Sequence, residues 1–155
     1  MHSRRRFGLV LLWVVLLAFP GVLPAQTVTG VRDLTFGTVI PGVPTTVLQT
    51  DAVNAGQFRI AGVFIRNVTI TFTLPTVMNR TGPGPAAATM PITFLNNSAG
   101  YTTLFQGNTP FNPNAPYGET VIFNATITLG GRVSPSPTQL GGNYAATIVM
   151  TVIFL

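Results

Sequence analysis

Apolar and polar residues alternate with a period of two along much of this chain. Val68-Thr69-Ile70-Thr71-Phe72-Thr73-Leu74 puts four apolar side chains on one face and three threonines on the other, the pattern of a half-buried strand. Residues 119–129 repeat it, with Val121, Phe123, Ala125, Ile127 and Leu129 expected inward and Asn124, Thr126 and Thr128 outward. Shorter strands are predicted over 34–40, 45–48, 57–62, 90–95 and 101–105. Between them, 75–88, 106–118 and 130–142 are rich in Pro, Gly and Asn and read as loops. No window carries apolar residues at helical spacing. Short strands joined by polar connections predict one all-β domain, an antiparallel β-sandwich.

The segment 143–155 (NYAATIVMTVIFL) differs from the other strands. Tyr144, Ala146, Ile148, Met150, Val152 and Phe154 form one row, and Ala145, Val149, Ile153 and Leu155 dominate the opposite row. A strand that is apolar on both faces belongs in the middle of a sheet. Yet no charge guards it, and Leu155 ends the sequence before a further strand can flank it. Either earlier strands flank it on both sides, or another chain supplies the missing neighbour by strand addition.

The first 25 residues change the domain count. Arg4, Arg5 and Arg6 precede an unbroken apolar run (LVLLWVVLLAF), then Pro20-Gly21 and a small residue at Ala25. This is the three-part pattern of a secretory signal peptide, with cleavage expected between Ala25 and Gln26. The arginines read as an ordinary positive leader end, although Arg4-Arg5 also suits twin-arginine export. The apolar run is shorter than the roughly 18–20 residues that span a bilayer comfortably, so the membrane contact expected is transient. One domain over 26–155 remains.

Charge and composition then remove most functional classes. The eight basic residues are all arginine and there are three acids, giving +5; without the three leader arginines the balance is +2. A folded part this weakly basic does not suit nucleic acid. Beyond residue 25 there is no Cys, His, Lys or Trp. No metal site of the usual kind, cofactor or nucleophilic triad is therefore expected, and the chain reads as non-enzymatic. Asp33, Asp51 and Glu119 leave a carboxylate-pair hydrolase as the only enzyme class to weigh, and exposed turn acids explain them more simply. Arg59 and Arg66 read as residues that solubilise strand ends. Tyr101, Phe105, Phe111 and Tyr117 sit in or beside the loop 106–118, where Phe111 and Tyr117 are candidates for stacking on a sugar ring. The plainer reading is that they pin the loop to the sandwich.

Several short motifs resemble one family. Leu34-Thr35-Phe36-Gly37-Thr38-Val39, then Phe58-Arg59-Ile60-Ala61-Gly62, then Gly130-Gly131 and the ending Gly142-Asn143-Tyr144 through Val152 resemble the DUF4402 family of exported bacterial proteins, which is related to spore coat protein U and archaic chaperone–usher pilins. The resemblance implies an immunoglobulin-like sandwich lacking its final strand. A periplasmic chaperone lends that strand first, and a neighbouring subunit replaces it to build a surface fibre, pilus or coat. Carried over by position, the acceptor groove would involve Tyr144, Ile148, Met150, Val152 and Phe154, opposite a strand at 34–39. One departure stands out. Residues 26–33 (QTVTGVRD) offer only Val28 and Val31, out of alternation, as apolar material for a donor strand.

Overall fold

A computed structural model of the 155-residue chain describes residues 26–82 and 88–155. The leader, with Ala25 on its side of the expected cleavage, lies outside the described residues; Gln26 is exposed. The strands are β1 (Thr27–Arg32), β2 (Thr45–Val47), β3 (Gly56–Thr73), β4 (Val77–Thr81), β5 (Thr89–Thr93), β6 (Ala99–Thr103), β7 (Thr109–Phe111), β8 (Tyr117–Leu129), β9 (Gly131–Val133), β10 (Asn143–Ala145) and β11 (Val149–Phe154). Among the described residues there is no helix, and none is therefore long and apolar enough to cross a membrane.

Two antiparallel sheets form a β-sandwich. The larger has the order β1-β3-β8-β6-β7, with β11 also on β3; the smaller has the order β10-β4-β5-β9-β2. The main core lies under the larger sheet and is built by Ile60, Val68, Ile70, Tyr101, Val121, Ile127 and Leu129. All but Tyr101, which β6 contributes, are inward positions of the period-2 pattern in β3 and β8. A second, smaller cluster of Met90, Ile92 and Val133 collects Phe36, Val39, Met78 and Tyr144 around it.

Gly130 sets the junction between the sheets. A side-chain carbon there would collide with the Val47 carbonyl and the Gln49 amide. Its own N–H donates to the Ser98 carbonyl at 2.7 Å. Only glycine lets three backbones approach this closely.

Four sequence expectations are corrected. The strands expected at 57–62 and 68–74 are one strand, β3, which passes Gly62 (φ +77) through two register shifts. Residues 34–40 form no strand: Gly37 (φ +62) interrupts the extended run, and no neighbouring strand supplies ladder bonds. Phe123 does not point inward. It sits at φ +63 opposite the bulged part of β3 and is 46% exposed, because β3 carries extra residues there and the ladder cannot keep the pleat in step. The stretch 143–155 is divided: β10 joins the smaller sheet and β11 the larger.

Candidate functional site

β11 runs along the C-terminal half of β3, from Val149 opposite Thr73 to Phe154 opposite Val68. β1 occupies the other half of the same β3 edge, with Thr27 opposite Ala61 and Arg32 opposite Gln57. β3 is the only strand that β11 pairs with among the described residues. The far edge of β11 is thus open.

The ladder phase identifies which groups face that edge. Leu155 donates its N–H to the Asn67 carbonyl at 2.9 Å. In an antiparallel pair, residues alternate between exchanging backbone bonds and facing away. Leu155, Ile153, Thr151 and Val149 therefore bond to β3. Met150, Val152 and Phe154 turn their N–H and C=O groups toward the open side.

The side chains follow the opposite rule. Met150, Val152 and Phe154, together with Ile148, are half-buried and pack on the main core. The outer row is bare: Val149 is 48%, Ile153 54% and Leu155 69% exposed. Three apolar side chains and three unpaired peptide groups on one uncharged edge present the surface on which another strand can pair.

A cleft of about 730 Å³ lies beside β10 of the smaller sheet. Its walls include the extended residues 34–39 on one side and 139–144 on the other, above Met78 and Met90. Leu34, Phe36 and Val39 are half-buried, and Thr35 N–H donates to the Asn54 carbonyl at 2.9 Å. The Tyr144 hydroxyl is fixed between Gln139 Nε2 (2.6 Å) and the Leu140 carbonyl (2.7 Å). The structure thus brings Tyr144 together with residues 34–39 in this cleft. Met150, Val152 and Phe154 on β11, with Ile148 just before it, pack against the main core. β10 likewise pairs only with β4 among the described residues, at the edge of the smaller sheet.

The loop aromatics are placed differently. Phe111 is buried and stacks on Tyr117 at 4.1 Å and 15°, with Phe72 on its other side at 6.4 Å. Of the ligand loop expected at Phe111 and Tyr117, Phe111 is buried and is corrected as a sugar contact, while Tyr117 stays half-buried with one face against Phe111. Tyr117 donates to Glu119 Oε2 at 3.0 Å. Burial first, then that bond and the carboxylate charge, push its hydroxyl up to about 12. Tyr101 is fully buried and donates to the Thr120 carbonyl at 3.0 Å. Burial raises it further, helped by Glu119 and Tyr117.

Asp51 and Glu119 are committed to local hydrogen bonds, and Asp33 is exposed. Asp51 accepts from Asn54 Nδ2 and from the Asn54 and Val53 amides at 2.8–3.0 Å. The Asn54 side chain, then these amides, hold it below the ordinary aspartate range. Among the described residues no group of three metal-ligating side chains gathers.

The fold and this edge define an antiparallel β-sandwich with an apolar rim strand that is paired on one side only among the described residues. No family model matches the chain, and no curated protein or solved structure is significantly similar to it.

Proposed function

We propose that this chain is an exported, non-enzymatic structural subunit of a bacterial surface fibre or coat, assembled by β-strand addition. The observation that carries this reading is the outer edge of β11, where Met150, Val152 and Phe154 direct unpaired peptide groups outward beside the exposed Val149, Ile153 and Leu155. A strand laid there gains backbone hydrogen bonds, and its alternate side chains fall on the two faces of the sheet. A periplasmic chaperone would hold the edge during export, and a neighbouring subunit would occupy it in the assembly.

The test is a thermal melt of the protein with a synthetic peptide of alternating apolar and polar residues. A peptide at 100 times its dissociation constant adds about 2.7 kcal/mol to stability. For a domain of this size that raises the melting temperature by about 10 °C. An unchanged melt across a panel of such peptides up to millimolar concentration would overturn the reading. The second reading, a self-contained glycan-binding domain, loses Phe111, which is buried in the core with the half-buried Tyr117 stacked on it.

A further inference from the structure

The outer face of the larger sheet carries a second cleft, of about 480 Å³. Its floor is polar, with Arg59 of β3, Thr126 and Asn124 of β8 and Thr102 of β6. Arg59 lies directly opposite Thr126, and Thr126 directly opposite Thr102, so the three form one row across the sheet. Phe123 and Leu104 rise beside this floor as apolar walls.

Phe123 is there against its own preferences. The period-2 pattern assigns it to the core, and its φ of +63 is a left-handed conformation that side-chain-bearing residues adopt only at an energetic cost. Turning the ring outward also forgoes burial. Phe64, itself 76% exposed, braces the ring edge-on at 5.8 Å and 83°. Strain and lost burial both oppose folding, so stability does not account for the arrangement. Bulges that re-aim a side chain are enriched at binding sites.

We propose that this cleft binds an acidic saccharide. An exposed phenyl face suits the C–H face of a pyranose ring, since each presents flat apolar area to the other. Hydroxyl and amide side chains on the floor suit the ring hydroxyls, as acceptors and donors at once. Arg59 is the one charged residue lining the cleft, and its planar guanidinium pairs two-pronged with a carboxylate. The volume lies in the range of ordinary ligand pockets. Nucleic acid does not fit, because a phosphate backbone needs several cations along its path. This site stands on the face of the sheet, away from the β11 edge, and it holds or fails independently of strand addition.

The experiment is calorimetric titration of the purified protein with an oligogalacturonate and with a neutral malto-oligosaccharide of equal length. The expected result is binding of the acidic oligomer at about millimolar affinity or tighter, with the neutral one at least about tenfold weaker. Arg59→Gln abolishes that preference. Phe123→Asn, a residue that tolerates positive φ, weakens binding by about tenfold or more while the melting temperature stays level or rises. Failure of both sugars to bind at about 10 mM, equal binding of the two, or full binding by either variant overturns the proposal.

Discussion

Proline at position 152 separates folding from strand capture. Val152 turns its N–H toward the open edge, so Val152→Pro removes a donor that β3 never uses. Proline is tolerated on edge strands in this orientation. Val152 is half-buried, and exchanging its side chain for a pyrrolidine ring costs about 1–2 kcal/mol in packing and φ adjustment. That lowers the melting temperature by about 4–8 °C. An added strand loses one backbone bond and meets the ring where its carbonyl should sit, a loss of about 1–3 kcal/mol, or ten- to a hundredfold in affinity. Ile153→Pro is the control. It removes the donor that Ile153 gives to Thr69 and drives the ring into β3, costing about 3 kcal/mol or more. Melts of both variants, with and without an alternating apolar peptide, read both effects. If Val152→Pro gains as much from the peptide as the parent does, the added strand does not pair with β11.

Three other outcomes follow from the same geometry. Gly130→Ala forces a methyl group into the Val47 carbonyl and Gln49 amide and lowers stability by about 3 kcal/mol in chemical denaturation. Ile127→Ala, fully buried on β8, costs about 2–5 kcal/mol, whereas Ile153→Ala, 54% exposed, stays within about 1 kcal/mol. Tyr101 and Tyr117 keep their protons to higher pH folded than unfolded. Their contribution is therefore complete below pH about 10 and declines from there through about 12, as the unfolded chain ionises first. Melts between pH 8 and about 12 should fall in that window, and Tyr101→Phe should flatten the decline.

The strands legible in the sequence are those whose two faces meet different surroundings. β8 and the second half of β3 bury one face and expose threonines on the other, so the period of two is plain. β1 was missed because all but one of its residues are exposed, and a strand with neither face covered carries no periodic signal. Residues 34–40 failed in the reverse direction. Leu34 and Phe36 are half-buried two residues apart, but Gly37 breaks the alternation before Val39, and a strand also needs a neighbour to share its hydrogen bonds. The outward turn of Phe123 had one warning, Gly62 inside an apolar run, since glycine within a strand marks bulges. The partner strand that the bulge would disturb was not identifiable without the β3–β8 pairing. The open edge of β11 was visible as a two-sided apolar run. Its phase was not, because that depends on which residues exchange bonds with β3.

That phase gives the most direct measurement of what happens at the edge. Hydrogen exchange along β11 should alternate. The amides of Val149, Thr151, Ile153 and Leu155 are bonded to β3 and should be protected, while those of Met150, Val152 and Phe154 face outward and should exchange at close to solvent rates. The outward amides are attached to the half-buried side chains that pack on the core, so burial of the side chain alone would predict the opposite pattern. A strand that pairs with this edge should protect the three fast amides and leave the four slow ones as they were. A ligand seated in the cleft beside Tyr144 without pairing would leave all seven unchanged. Seven amides that are slow without any partner would mean that the edge is already closed, and strand addition at β11 would have no site.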